Sequence, residues 1–414
     1  MSIAVIFSGQ GSQYAGMGKD LCSNYKTADD TFNEASEIAG VDFKKLCFEG
    51  NDEDLSKTLF TQQIVFIMGV ASYRAYMEKI GIIPDIFAGN SLGEITALTC
   101  ANVIEFKDAV KIVNSRATFM QEAADNSYGA MAAIGNVDHK IIDNECRKLS
   151  SGDYSVCISN YNSANQVVVS GYKDLVSKLV DNFKNNGAYT KYLKVNGAFH
   201  SPYMYPAAYK MQEELKKYRF HDLSHKVISN IDGGLYNSKD ELAERLSLQI
   251  VKPVQWSNTI AFLEKNGIDC AIELGPGQVL KKMMKSNSSK ISSYAFDIKE
   301  DIEKLQNEVF NNEKPYERNI VTMCLRSAVS SKNRIRQNEE AYKEAINTYN
   351  EMFNMYKVIK KDKRLPTKVE AEKALSMLLL IMNTKGIPVI ECRKKLDGII
   401  TKSGNRHLFN DCLI

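Results

Sequence analysis

The chain reads as a layered α/β protein with a ferredoxin-like unit inserted into it and a helical extension at its C-terminus. Three observations carry that reading. Strand-like apolar runs alternate with helix-period runs over residues 1–127 and again over 197–312, the rhythm of a parallel sheet covered by helices. Between 128 and 196 the order becomes β-α-β-β-α-β, which is the ferredoxin-like unit. Over 313–414 glycine becomes sparse and long helical segments follow one another, and no internal repeat interrupts the chain.

Taken in order, Ile3–Ser8 (IAVIFS) is apolar on both faces, as a buried parallel strand must be, and ends in Gly9-Gln10-Gly11-Ser12-Gln13. Helical periodicity follows in Asn33–Ala39 and Gln63–Lys79. The apolar run Ile80–Ala88 reads as the next strand. It ends in Gly89-Asn90-Ser91-Leu92-Gly93, after which Glu94–Asn102 and Phe106–Ala124 are helical. In the insert, Ala130–Ile134, Ser155–Asn160, Gln166–Ser170 and Thr190–Val195 are strands, and Asp138–Leu149 and Tyr172–Asn186 are helices. The larger unit resumes with the strand Val227–Asn230, a helix around Leu242–Ile250, and the strand Cys270–Leu274 closing on Gly275-Pro276-Gly277. In the extension, helices are expected at Asn319–Ala328, Asn338–Lys360, Lys368–Asn383 and Val389–Thr401, with breaks at Leu365-Pro366-Thr367 and Lys385-Gly386-Ile387-Pro388.

With 414 residues, 44% of them hydrophobic and 25% charged, the chain can bury a large core and has a soluble globular composition. Nine cysteines, an odd number with no C-x-x-C pair, argue against a disulfide framework and for a reducing compartment. The start, MSIAVIFSGQGSQ, lacks the basic region and long apolar stretch of a signal peptide. The longest later apolar run, Met377–Met382, falls far short of the roughly 20 residues that span a bilayer. A cytoplasmic location is therefore expected.

The net charge of +3 is unevenly spread. Lys314–Ile414 holds 20 Lys and Arg against 11 Asp and Glu, a balance of +9, which leaves −6 on the remainder. A basic tail on an acidic body points to an acidic partner, although a solvated helical surface has the same signature. Nucleotide binding is excluded by spacing. GQGSQYAGMGKD fits neither G-x-G-x-x-G nor G-x-x-x-x-G-K-[ST], since Asp20 follows Lys19. A nucleic-acid role would rest on the basic tail alone, which lacks clustered aromatics.

Gly-x-Ser-x-Gly between a strand and a helix is a nucleophile elbow, with Ser91 exposed at the strand end and the N–H of Leu92 facing a developing oxyanion. A serine nucleophile needs a base, and the chain has five histidines: His139, His200, His221, His225 and His407. His139 lies on a polar helix and His407 in the tail. His221 and His225 have i,i+4 spacing but no third ligand and no catalytic Glu, so they read as surface or loop residues and no metal site is expected. His200, in Gly197-Ala198-Phe199-His200-Ser201-Pro202, follows the last strand of the insert and precedes a proline-fixed turn, which makes it the candidate base.

These residues form a set. Gly9-Gln10-Gly11-Ser12-Gln13, Gly89-Asn90-Ser91-Leu92-Gly93-Glu94, Arg116 in SRATFMQEA, and Gly197–Pro202 resemble the motifs of the malonyl-CoA:acyl-carrier-protein transacylases. Asn160-Tyr161-Asn162 before NQVVVSG, Gln249 before KPVQW, and Glu273-Leu274-Gly275-Pro276-Gly277 extend the match over about residues 1–300.

The resemblance implies an α/β-hydrolase-like large subdomain, with Ser91 as the nucleophile and His200 as general base and later acid. It implies a backbone carbonyl near Gln249 to orient the imidazole, and the N–H groups of Gln10 and Leu92 as the oxyanion hole. Arg116 would hold the free carboxylate of malonate, and Phe199 would crowd a methylated acyl group. Asn160 and Asn162 join the substrate-binding set, as does Asn90, which stands where the family usually has histidine. No cofactor is implied, malonyl-CoA being a substrate. The implied partner is an acidic acyl carrier protein of polyketide or fatty-acid synthesis, docked with help from the basic tail. Free-standing acyltransferases serving modular polyketide synthases are the natural setting for such an addition. The alternative within the superfamily is an acyl hydrolase that clears carrier proteins, and it would have no use for Arg116.

Overall fold

Ile3–Phe7 (β1) is buried at every residue and lies at the centre of a five-stranded sheet, which is why its side chains are apolar on both faces. In this computed structural model, which describes residues 1–51, 55–312, 319–334 and 339–403, the sheet order is β7-β2-β1-β8-β9. Its strands are Lys226–Val227 (β7), Ile86–Gly89 (β2), β1, Cys270–Leu274 (β8) and Ser292–Ala295 (β9), all in parallel pairs. The register sets Phe7 beside both Gly89 and Leu274, so three glycine-bearing loops leave the sheet at one edge. That C-terminal edge is where open parallel sheets place their ligand sites.

The strand expected over Ile80–Ala88 begins only at Ile86. Gly81 takes a left-handed conformation (φ 73°) and Pro84 has no N–H for a ladder, so the first half of the run is irregular although apolar.

Gly129–Gly135 (β3), Val156–Ser163 (β4), Gln166–Tyr172 (β5) and Tyr189–Tyr192 (β6) form an antiparallel sheet of order β4-β5-β3-β6. Helices His139–Leu149 and Lys173–Asn185 cover it around a separate core that includes Ile134, Ile142, Val169 and Leu179. The chain enters and leaves this insert side by side, where Gly129 lies against Gly197 and Ala198. The insert is braced on the large subdomain where the Tyr161 N–H donates to Val254 O (2.9 Å) and the Val254 N–H to Ser159 O (2.8 Å).

The helix Thr58–Lys79 is buried on nearly every face, consistent with its all-round apolar sequence. Part of its cover comes from the extension, whose helices run Ile320–Ser330, Glu339–Lys361, Lys368–Thr384 and Val389–Lys402. Leu325, Met352, Leu378 and Leu396 belong to the same continuous core as Phe66, Met68 and Tyr76, so the extension, though its composition sets it apart in the sequence, is packed into the large subdomain. It attaches at the sheet edge opposite Ser91. There Arg326 Nε donates to Met77 O (3.1 Å), Lys360 Nζ meets Asp85 Oδ1 (2.7 Å) and Lys357 Nζ donates to Ser224 O (2.9 Å). Residues 404–414, with His407, lie outside the described residues. Among the described residues no helix is long and apolar enough to cross a membrane.

Candidate active site

The elbow is built from close approach. A side chain on Gly93 would put its Cβ 2.1 Å from Phe7 O, and one on Gly89 would sit 2.0 Å from the Gly93 backbone. With both glycines in place β2 runs straight into the helix Leu92–Cys100, and Ser91 takes the turn at φ 53°, ψ −108°, a strained conformation for a side-chain-bearing residue. The N–H groups of Leu92, the first residue of that helix, and of Gln10, in the loop after β1, carry no hydrogen bond among the described residues.

His200 also has a positive φ (55°). Its Nε2 is 2.8 Å from Ser91 Oγ, and its Nδ1 is 2.7 Å from the backbone carbonyl of Gln249. A carbonyl can only accept, so the proton sits on Nδ1 and the Nε2 lone pair faces the hydroxyl. Burial, and then the charge of Arg116, push the imidazole down to about 4, so it is neutral at neutral pH.

Arg116 lies on the buried face of the helix Phe106–Asp125 and is 2% exposed. Its Nη1 donates to Gln62 Oε1 (2.6 Å), and its Nη2 to Gln249 Oε1 (2.9 Å) and Ser91 Oγ (3.1 Å). Its Nε has no partner, and no carboxylate pairs with it among the described residues. Burial lowers the guanidinium to about 10, which still leaves it charged at neutral pH.

The remaining residues singled out in the sequence divide. Phe199 is buried (4% exposed) in the large core directly before His200. Asn90 is fixed by its backbone, its N–H donating to Phe7 O (3.0 Å), while its side-chain Nδ2 is buried without a partner among the described residues. Asn160 and Asn162 are not bonded to the Ser91–His200–Arg116 cluster. Asn160 Oδ1 accepts from Ser159 Oγ (2.8 Å), and Asn162 bonds Gln166 (3.2 Å) and, through its carbonyl, Asn287 (2.8 Å). His221 and His225 sit in irregular chain as expected, but buried rather than on the surface. His221 lies 3.5 Å from Glu105, and His225 packs against Phe87 and Phe353.

Sequence reasoning missed several members of the site. Asn230 clamps the elbow, accepting from the Ser91 N–H at 2.6 Å and donating from Nδ2 to Gly89 O at 2.7 Å. A lone polar residue after a two-residue strand gives no signal of that. Gln62 lies on the buried helix between Thr61 and Gln63, which are buried polar residues too, so its polarity gave little sign. Glu94 stood within the elbow motif, and Tyr236 carried no signal. The Gln249 side chain was also missed. Its Nε2 donates to Ser91 O (2.8 Å) and Glu94 Oε2 (2.5 Å).

A model of the acyl transferase domain matches residues 5–307. A malonyl CoA-acyl carrier protein transacylase of Bacillus subtilis is 35% identical over 312 residues, 75% of this chain and 78% of that protein. The enzyme of that name from Escherichia coli (strain K12) is 38% identical over 283 residues, 68% of this chain and 91% of that protein. Among solved structures, a malonyl-transacylase in complex with its type II polyketide synthase acyl-carrier protein superposes with a TM-score of 0.72 at 35% identity, covering 74% of this chain and 100% of that one. The Clostridium perfringens transacylase gives 0.71 at 34%, covering 76% and 98%. An elbow serine, a neutral histidine and a buried arginine in one cluster, on a chain matched over this length, lead to one conclusion: the protein belongs to the acyl transferase family, among relatives that are malonyl CoA-acyl carrier protein transacylases.

Proposed function

We propose that the protein transfers a malonyl group from coenzyme A to the phosphopantetheine thiol of an acyl carrier protein by way of a malonyl-Ser91 ester, for fatty-acid or polyketide synthesis. The observation that carries this reading is the unpaired, buried guanidinium of Arg116, 3.1 Å from Ser91 Oγ. An acyl group on Ser91 has its far end within reach of that cation, and a free carboxylate there satisfies it with a charge-assisted pair.

In the first half-reaction Ser91 Oγ attacks the thioester carbonyl while its proton passes to His200 Nε2. The oxyanion takes the N–H groups of Gln10 and Leu92. Collapse breaks the C–S bond, and coenzyme A leaves as the thiol with the proton from His200. In the second, the carrier thiol gives its proton to His200 and attacks the malonyl ester, and the same proton returns to Ser91. Throughout, the Gln249 carbonyl holds the Nδ1–H, the place a carboxylate fills in other triads. No step calls on a metal or cofactor. Phe199, buried beside His200, disfavours a methylated acyl group by about 1–3 kcal/mol.

The cations of the extension help capture an acidic carrier through the approach rather than through the final contact. Lys332, Lys394, Lys395 and Lys402 line a groove with Lys79, seventeen residues along its helix from Gln62 and so roughly 25 Å away. A charge there acts as a long-range field. The variant Lys394→Glu/Lys402→Glu is expected to lower kcat/KM for the carrier about two- to fivefold at low salt and not at all at high salt; equal values at low salt would end this role.

The main test is intact mass after incubation with malonyl-CoA. A malonyl adduct is expected, transferred on addition of carrier protein and absent in Ser91→Ala. Absence of the adduct together with release of free acid from acyl-carrier species would favour the hydrolase instead. Arg116→Ala is expected to weaken malonyl loading by about 2–5 kcal/mol while acetyl loading changes little.

A further inference from the structure

Glu94 is a buried acid that none of these steps uses. It lies in the first turn of the elbow helix, is 0% exposed, and no Lys, Arg or His is bonded to it among the described residues. Its Oε2 accepts from Gln249 Nε2 (2.5 Å) and the Asn230 N–H (3.2 Å), and its Oε1 accepts from the Tyr236 hydroxyl (2.5 Å). Arg116 is the buried cation of the same cluster, and Glu94 acts on it electrostatically without touching it. Between the two stands the Gln249 amide. A carboxylate only accepts and a guanidinium only donates, so the amide has one orientation: its NH2 toward Glu94 and Ser91 O, its carbonyl toward Arg116.

From this juxtaposition we propose that Glu94 is a positioning residue for acyl selectivity: it balances the charge of Arg116 through the Gln249 amide without occupying the guanidinium. A direct Glu–Arg pair would have to be broken by every incoming substrate carboxylate. A buried Arg116 with no balancing charge would be costly to keep folded. The interposed amide meets both requirements and leaves the cation open. The Asn230 N–H also reaches this carboxylate, but it is the Asn230 side chain that clamps the elbow, so the nucleophile is held without Glu94.

The inference rests on the malonyl reading above, and its test separates the two. In Glu94→Gln, one amide oxygen replaces two carboxylate oxygens where Gln249, Asn230, Tyr236 and Ser229 converge. The negative charge that balances Arg116 is then gone, while Ser91 O and the guanidinium still hold the Gln249 amide in its orientation. Rates of Ser91 acylation by malonyl-CoA and by acetyl-CoA, read by rapid quench and intact mass, are expected to show the malonyl preference falling about tenfold or more, with acetyl loading within about threefold of the parent. A general structural role would depress both alike, and that result would overturn the proposal. Glu94→Asp keeps a carboxylate and should recover part of the preference; no recovery counts against the role. Tyr236→Phe removes a single donor and leaves the carboxylate in place. It should give a smaller loss in the same direction, which keeps the proposal testable if the Gln variant does not fold. A parent protein that takes no malonyl group overturns the reading beneath; a parent that does, with an unchanged preference in the variants, overturns the role of Glu94 alone.

Discussion

His200 shows how one environment sets both chemistry and acid stability. Burial, followed by the Arg116 charge, depresses its folded value from 6.5 to about 4. A depressed value means that its share of stability is present above pH 6.5 and is lost as pH falls through about 4. The same shift keeps Nε2 able to take a proton from Ser91 well below neutrality. The rate of malonyl loading is therefore expected to stay level down to about pH 5 and to fall only near 4. In Arg116→Ala the repelling charge is gone, so the acid limb moves up toward 6.5; a limb already at 6.5 in the parent would contradict this account. At this scale Ser91, His200 and Arg116 were legible because each residue type has few reasons to stand in a glycine- or proline-bounded position or amid SRATFMQ. Asn230 and Tyr236 were not, because their partners come from a strand and a helix more than a hundred residues away in sequence.

The elements that matter most are those whose ends are fixed by contact rather than by propensity. Gly93→Ala would drive a methyl group into Phe7 O, 2.1 Å away. A destabilisation of about 1–3 kcal/mol with loss of the adduct is expected, measured by thermal unfolding and intact mass. The Glu273-Leu274-Gly275-Pro276-Gly277 motif, quoted from sequence only as a family mark, has a similar task. Glu273 accepts from the Leu280 and Lys281 N–H groups (3.0 and 2.8 Å) and from Ser8 Oγ (2.9 Å). It thus ties the start of the helix Val279–Asn287 to the end of β1. Long periodic helices and the strand–elbow–helix unit could be read directly from the sequence. Among the short pieces, β7 meets the expected Val227–Asn230 only at Val227 and β9 was not read at all, because neighbours on the sheet hold them.

For the whole molecule, composition revealed the extension but not its placement. A change in glycine content marks where a segment begins, and says nothing about which apolar face it covers. Since Met352, Phe353 and Leu378 lie in the core that surrounds Thr58–Lys79, Phe353→Ala is expected to cost about 3–5 kcal/mol. Core and extension should melt in one transition; two resolved transitions would refute a shared core. At this seam His225 is buried with neither ring nitrogen bonded among the described residues, and burial, then the Lys357 charge, depress it to about 3. Its contribution is also present above pH 6.5 and is lost as pH falls toward 3, so acid loosens the seam as well as the site. The paired crossing of Gly129 and Ala198 has a use in engineering. Arg116 precedes that crossing and His200 follows it. The insert is therefore a cartridge held by a double socket. A relative's insert could be spliced in at these two points, replacing one wall of the cleft while every reacting atom stays in the host chain.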